Sequence, residues 1–332
     1  MLLFICGVTI ANSNVIGYTS ELSDHSIYKN VLKRGAFMRI IDILNKKEMS
    51  LSIEVFPPKR MSGLESVKKT TEEIAEYHPS FMSVTYGAGG GTSRYTLDIA
   101  KNIMKNHGVP TLMHLTCVSS DRETVRSMIG EMEMAGIKNV MALRGDIPEG
   151  LEDADRSGWD YHYAVELIRE IKERGDFCIG AACYPEVHPE SATQKEDLQH
   201  LKEKVDAGAD FLTTQMVFDN NLFYNFLYKL REIGVTVPVI PGIMPITSAK
   251  QVERAIKLSG SFMPQRFRSM VDYFGSDDDS MKAAGIAYAT DQIIDLYANG
   301  ITNVHVYSMN KPEIAKGIMD NLAAILGKTF DR

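Results

Sequence analysis

Several things are scarce in this chain, and each scarcity excludes something. There are four cysteines (Cys6, Cys117, Cys178 and Cys183), and no two form a CxxC pair or a zinc-ligand spacing. A disulfide framework is therefore not expected, and a reducing, cytoplasmic location fits best. Cys117 and Cys178 fall in apolar strand-like runs, where a thiol acts as a small hydrophobe. The apolar start, MLLFICGVTIA, is about half the length of a membrane span. It also lacks the basic start and clean small-residue cleavage site of a secretory signal. Positive charge is not in excess: 36 Lys and Arg face 43 Asp and Glu, for a formal net charge of −7. That argues against nucleic acid as a main partner, as the missing span argues against a membrane. The eight histidines are scattered without zinc or iron spacing, so no metal site is expected. No glycine fingerprint opens the first helix, no Walker motif follows a strand, and no linker rich in Pro, Gly or Ser divides the chain.

What is present is a regular alternation. The 332 residues are 44% hydrophobic and 24% charged, the balance of a globular protein. Residues 1–37 show no sustained period and read as an N-terminal extension, outside the natural chain or disordered. The natural start is expected near Met38 or Met49, with one catalytic domain over 38–332. After Met49, strand-like runs occur at 52–56, 81–87, 111–118, 139–146, 178–185, 211–218, 237–244 and 303–309. Helix-period stretches separate them at 63–77, 93–107, 121–135, 160–174, 193–207, 220–233 and 247–259. The longer last gap holds two more, 264–274 and 278–299, and a final helix covers 312–326. Eight strand–helix repeats at this length predict a (β/α)₈ TIM barrel with extra helices before the eighth strand. A doubly wound open sheet is the alternative.

The polar residues sit late in these strands. SIEVFPPKR (52–60) places Ser52, Glu54 and Phe56 on one face and Ile53 and Val55 on the other, and Pro57-Pro58 then stops the strand. A carboxylate inside a strand is costly unless it faces water, a polar cavity or a reaction. Thr85-Tyr86 close the second strand, His114 and Thr116 lie in the third, and Arg144-Gly145-Asp146 end the fourth. Tyr184 ends the fifth, Gln215 lies in the sixth, and Tyr307 and Asn310 end the eighth. In a barrel these ends converge on one mouth, where catalytic groups sit, and Glu54 gains a cavity to face.

Other stretches have an ordinary structural reading beside the functional one. In YPEVHPE (184–190), Tyr184 could stack on a planar ligand and His188 donate to one, or the segment is a rigid proline turn capping the barrel. Asp197, His200 and Lys204 share one helix face, which is either solvated or a wall offering Lys204 to phosphate and Asp197 to sugar hydroxyls. GAGGGT (87–92) brings backbone close to a ligand or is simply a loop. Gln251, three residues after Ser248, has the capping-box spacing and could also face the mouth. Asp277, Asp278 and Asp279 suit a helix N-terminus, and no chemistry is assigned to them.

EVFPPK, SVTYGAGG, HLTC, ALRGDIP, YPEVHPE, HLKEKVDAGADFLTTQ, PGIMPI and HVYSMN occur in this order between about Leu51 and Asn310. Together they closely resemble methylenetetrahydrofolate reductase of the bacterial FAD-dependent type. The resemblance implies a barrel that binds FAD and reduces 5,10-methylenetetrahydrofolate to 5-methyltetrahydrofolate with NADH or NADPH. It implies Glu54 as general acid and Asp146 as a catalytic group that tunes the flavin and pairs with the pterin. It implies flavin contacts at Thr85, Tyr86, Ala88, His114, Arg144, Gly145, Asp146, Tyr163, Ala164, Tyr184, His188, Asp197, His200 and Lys204. It implies folate contacts at Asp146, Gln215 and Gln251, with Gln215 also meeting nicotinamide and Lys311 standing where the family usually has Arg. The acid is expected to carry a raised pKa. A further departure is Met216-Val217, in place of the common aromatic pair, which is expected to change the wall of the mouth. The acidic balance and the absence of an Arg cluster lean towards NADH. A homo-oligomer and an iron–sulfur partner subunit stay open. Inhibition by S-adenosylmethionine is not expected, because the sequence holds no counterpart of the eukaryotic regulatory domain. A flavin-poor barrel serving a larger complex is the rival reading. A Schiff-base aldolase would need a lysine on a strand, and no strand carries one.

Overall fold

Alternation along the first strand fixes what each face of the sheet does. In β1 (Ser50–Val55), Leu51, Ile53 and Val55 are buried towards the surrounding helices, while Ser52 and Glu54 turn to the opposite face. The computed structural model describes residues 37–58, 60–86, 93–147, 150 and 155–328. Seven further strands repeat the arrangement: β2 (Met82–Val84), β3 (Thr111–Thr116), β4 (Asn139–Leu143), β5 (Cys178–Cys183), β6 (Phe211–Met216), β7 (Val239–Ile243) and β8 (Asn303–Tyr307). All neighbours pair in parallel and β8 closes on β1, giving the eight-stranded barrel expected from the alternation. In register, Ser52 lies beside His305, and Glu54 lies between Ser83 and Tyr307.

The helices form by ordinary local rules. In α4 (Arg122–Ala135), the Asp121 side chain accepts from the Thr124 amide at 2.7 Å and so caps the start. Val125, Met128, Ile129 and Met132 form its buried stripe, and Gly136 ends it in the left-handed region at φ 80°. The other helices around the strands are α2 (Leu64–Ala75), α3 (Ser93–His107), α5 (Ala164–Arg174), α6 (Gln194–Asp206) and α7 (Asn220–Glu232). After β7 come α8 (Ala249–Ser259), α9 (Gln265–Phe274) and α10 (Asp278–Ala298), and α11 (Pro312–Leu322) follows β8. Asp277 caps α10 by accepting from Ser280 at 2.8 Å, with Asp278 and Asp279 in its first turn. This triplet is a helix start.

The structure departs from the sequence reading at two places. Most of the strand-like runs extend two or three residues too far at their C-terminal ends. Thr85-Tyr86, Arg144-Gly145-Asp146 and Tyr184 lie just past the ladder, in the loops that ring the mouth. The second difference is α1 (Ile40–Leu44), a short helix below the barrel that was not anticipated. Ile40, Ile43 and Leu44 pack against Phe81, Leu112, Met141, Cys178, Phe211 and Ile240, sealing the N-terminal end of the lumen with hydrocarbon. Asn139 holds it there, its Oδ1 accepting from the Ile40 amide at 2.8 Å and its Nδ2 donating to the Met38 carbonyl at 3.1 Å. Three of the four cysteines, Cys117, Cys178 and Cys183, are free and buried. No helix of the described residues is long and apolar enough to cross a membrane.

A last fastening lies at the closure. Asn310, in the left-handed region at φ 53°, clamps the backbone of Phe56 with its side-chain amide. Its Oδ1 accepts from the Phe56 amide at 2.9 Å and its Nδ2 donates to the Phe56 carbonyl at 2.8 Å. The β1–β8 seam is thus extended past the ladder by a side chain acting as strand backbone. Truncating the plug tests its weight: Ile40→Ala is expected to lower unfolding free energy by about 2–5 kcal/mol, measured by urea titration.

Candidate active site

Glu54 stands on the lumen face of β1 with its side chain one-fifth exposed, at the floor of the mouth. Its Oε2 is surrounded by three neighbours from other strands. The Ser83 hydroxyl lies at 3.3 Å, His114 Nε2 at 3.6 Å and His305 Nε2 at 3.7 Å. The His305 ring is further held by Ser52 Oγ at 2.7 Å from Nδ1 and by Ser83 Oγ at 3.2 Å from Nε2. Burial, the largest single influence, pushes the Glu54 carboxyl up. The imidazoles of His305 and His114 and the hydrogen bond from Ser83 together outweigh it, and the pKa falls below the ordinary value. This corrects the expectation of a raised pKa, which weighed desolvation without the donors around the carboxylate.

His114 answers the other way. Burial, opposed by the Glu54 charge and assisted by that of His305, pushes its pKa down to about 4, so the ring is neutral at neutral pH. Its Nε2 is buried and makes no hydrogen bond. An imidazole nitrogen left unpaired beside the cavity floor is a polar group prepared for a ligand.

The rim carries two further groups. On one side, Tyr184 is half-buried, hydrogen-bonded to Gln215 and edge-on to the His188 ring at 4.6 Å. The backbone of His188 donates to Asp197 at 3.3 Å, and Lys204 Nζ donates to the Ala182 carbonyl at 3.0 Å. Asp197 is buried, so this face of α6 turns inward at Asp197 and Lys204, while His200 on the same helix is exposed. Burial lowers the pKa of Lys204 and of His188. Arg144 forms a two-pronged ion pair with Glu190, one prong at 2.8 Å. Gly145 follows at φ 90°, and a Cβ there would come within 2.9 Å of Thr116 and Val118, so only glycine fits. Asp146 is exposed beside them, near enough for its charge to raise the pKa of Tyr184 and of Arg144.

The second group lies across the mouth. Lys311 Nζ donates to Thr247 Oγ1 at 3.2 Å, and the Thr247 amide donates to Gln251 Oε1 at 2.8 Å. Gln251 thus serves a helix start, while Ser248 makes no capping bond with its side chain. Thr85 and Tyr86 are half-buried at the end of β2, the Thr85 amide donating to the Val55 carbonyl at 3.0 Å. Ala164 is the buried first residue of α5; the exposed Tyr163 precedes it, its amide bonded to Glu166. Ala88 and the rest of GAGGGT lie outside the described residues. Met216 and Val217 are both buried, Met216 against Phe218 and Phe267 and Val217 in the main core. They support the mouth from behind and do not form its exposed wall.

Sequence reasoning missed Ser52, Ser83, His305 and Glu190. For Ser52, Ser83 and His305 the signal was parity, whereas Glu190 lies in the YPEVHPE loop. Each lumen-facing position on a strand that carries Glu54 or neighbours it in register belongs to the same cavity. Val187 was also missed: its φ of 81° is unusual for a β-branched residue and marks the YPEVHPE turn as strained. Among the described residues no group of His, Cys, Asp and Glu could hold a metal.

The arrangement has a known counterpart. Residues 39–323 match the family model described as methylenetetrahydrofolate reductase. The chain belongs to the methylenetetrahydrofolate reductase family. It is 33% identical over 275 residues to 5,10-methylenetetrahydrofolate reductase of Escherichia coli, covering 83% of this chain and 91% of that one. It is 34% identical over 303 residues to methylenetetrahydrofolate reductase (NADH) 1 of Arabidopsis thaliana, covering 87% of this chain and 51% of the relative. The chain spans about half the length of the plant reductases it matches. Among solved structures, an uncharacterized protein from Clostridium thermocellum that binds two copies of 5-methyl-5,6,7,8-tetrahydrofolic acid superposes with a TM-score of 0.62. Its 14% identity, over 87% of this chain and all of that one, shows the shared fold.

The depressed pKa of His114 has a consequence for stability. Between its ordinary value of 6.5 and about 4, the unfolded chain binds a proton that the folded chain refuses. Stability is therefore full above pH 6.5 and is lost as the pH falls, by roughly 3 kcal/mol for this group. In denaturant titrations at pH 7, 5.5 and 4.5, His114→Gln is expected to lose less stability on acidification than the parent protein does.

Proposed function

We propose that this protein reduces 5,10-methylenetetrahydrofolate to 5-methyltetrahydrofolate, with FAD as cofactor and NADH as electron donor. Family membership and the names of its relatives support the reaction. The observation that carries the site is the half-buried Glu54 carboxyl beside the neutral His114, whose Nε2 makes no hydrogen bond, at the floor of the barrel mouth. The plant relatives bear NADH in their names, and the acidic balance of this chain leans the same way. A cytoplasmic location is part of the same proposal and agrees with three free, buried cysteines.

The residues fit a flavin by their donor set. His114 offers an unpaired ring nitrogen, Tyr184 and His188 an aromatic wall, and Lys204 and Arg144 cations for a diphosphate, with Asp197 for ribose hydroxyls. When bound, FAD supplies the hydride relay between NADH and folate. Asp146, exposed at the end of the Arg144-Gly145-Asp146 turn, places a negative charge that pairs with the pterin. It also disfavours added negative charge on the cofactor. Gln215, held by Tyr184 and by its own bond from the Met216 amide at 2.9 Å, orients the planar substrate. Lys311 holds its charge at the mouth through Thr247, without the planar fork of the arginine usual in the family.

Glu54 donates the proton that opens the folate imidazolidine ring at N-10. Its pKa in the protein alone lies below the ordinary value, so the substrate must raise it. A planar ring system over the mouth removes the remaining fifth of solvent exposure and acts in that direction. Donor and acceptor share one opening, so the kinetics are ping-pong.

Glu54→Gln is expected to lower the folate half-reaction by about 10²–10⁴ while NADH still bleaches the flavin. The measurement is an anaerobic visible spectrum before and after NADH, then after methylenetetrahydrofolate. Loss of both half-reactions in the variant would contradict the role of Glu54. A colourless parent protein that takes up no added FAD would instead favour a non-catalytic barrel in a larger complex.

A further inference from the structure

A buried imidazole stands behind Glu54, and the mechanism above leaves it unused. His305 on β8 is 2% exposed. Its ring lies nearly parallel to Phe81 at 6.0 Å and edge-on to Tyr307 at 5.3 Å, so it cannot swing. Both nitrogens meet a serine: Nδ1 meets Ser52 Oγ at 2.7 Å, and Nε2 meets Ser83 Oγ at 3.2 Å. Ser83 Oγ in turn reaches Glu54 Oε2 at 3.3 Å, and Ser52 Oγ has a second outlet, the Val304 carbonyl at 3.2 Å. The chain Ser52–His305–Ser83–Glu54 runs across three adjacent strands at the barrel seam.

Each hydroxyl has one proton to give, and this makes the chain reversible. With Glu54 ionised and His305 neutral, Ser52 donates to Nδ1, Nε2–H donates to Ser83, and Ser83 donates to the carboxylate. With Glu54 protonated, every bond turns round. The carboxyl donates to Ser83, Ser83 donates to Nε2, Nδ1–H donates to Ser52, and Ser52 turns to the Val304 carbonyl. With His305 doubly protonated, it donates at both ends and Ser83 donates to the carboxylate. Every group stays hydrogen-bonded in all three states, and the last two differ only in where one proton rests. The other ionisable groups facing the chain are His114 from β3, neutral above about pH 4, and Tyr307 from β8, whose burial keeps its phenol protonated. Cys183 and Tyr184 lie beyond Tyr307.

We propose that His305 is the positioning residue for the acid: through the Ser83 hydroxyl it orients Glu54 and keeps the carboxyl hydrogen-bonded both with its proton and without it. This rests on the reading of Glu54 as the proton donor to folate. In the step itself the carboxyl O–H of Glu54 turns from Ser83 to the substrate nitrogen and breaks, the proton goes to that nitrogen, and the carboxylate left behind accepts from Ser83. A proton from solvent restores the acid before the next turnover.

The test uses His305→Gln and Ser83→Ala, with Glu54→Gln alongside. The folate half-reaction is followed by single-turnover reoxidation of the flavin across pH. Infrared difference spectra of the protein without substrate follow the Glu54 carboxyl stretch, with Glu54→Gln as the blank. Ser83, by its hydrogen bond, and His305, at 3.7 Å, both hold the Glu54 pKa down, so both variants are expected to move the carboxyl titration and the pH limb upward. They should also slow the folate step by less than the loss of Glu54 does, and leave flavin reduction by NADH unchanged. A uniform loss of rate with unmoved midpoints would overturn the proposal and leave His305 a packing residue. Ser83→Ala removes only one oxygen, so it decides the matter even where His305→Gln fails to fold. If Glu54→Gln keeps full folate reduction, the acid assignment itself falls, an outcome distinct from unmoved midpoints in the other two variants.

Discussion

A carboxylate cannot be placed inside a protein unless hydrogen-bond donors go in with it. That constraint organises the upper half of this barrel. Ser83 from β2 donates to Glu54, the imidazoles of His114 from β3 and His305 from β8 stand within 3.7 Å of it, and His305 in turn meets Ser52. These five residues occupy the lumen where eight strands of mostly aliphatic residues would otherwise meet. The lower half is the opposite case: Phe81, Leu112, Met141, Phe211 and Ile240 close on the plug helix without any such requirement. The boundary between polar and apolar layers falls within single strands, a few residues apart.

Much of the architecture could be read from the chain, because barrel strands buried on both faces leave a strong signal and amphipathic helices between them leave another. What blurred was the end of each strand. Thr85, Arg144 and Tyr184 follow the apolar runs without a break in sequence but leave the ladder in space, because their side chains serve the mouth and their backbones turn. The plug was not legible, since five residues are too few for a period to declare itself.

The site was legible by a different route. Glu54 stood out because a charge inside a strand is improbable, and the rim residues entered through resemblance to a family. His305 had neither advantage. It sits in NVHVY, where one histidine between two valines gives no hint that its two nitrogens meet serines from strands some 220 and 250 residues earlier. Its role is a property of closure, which brings the first and last strands of the barrel together. The pKa of Glu54 shows the same limit. Desolvation can be inferred from a strand position, but the donors that outweigh it come from elsewhere in the sequence. Likewise Met216-Val217 reads as an altered wall until the fold shows both side chains turned into the packing.

The plug formed by Ile40, Ile43 and Leu44 makes the lumen a blind well. Whatever reaches Glu54 enters and leaves by the one opening above it, because the hydrocarbon packed beneath offers no second route.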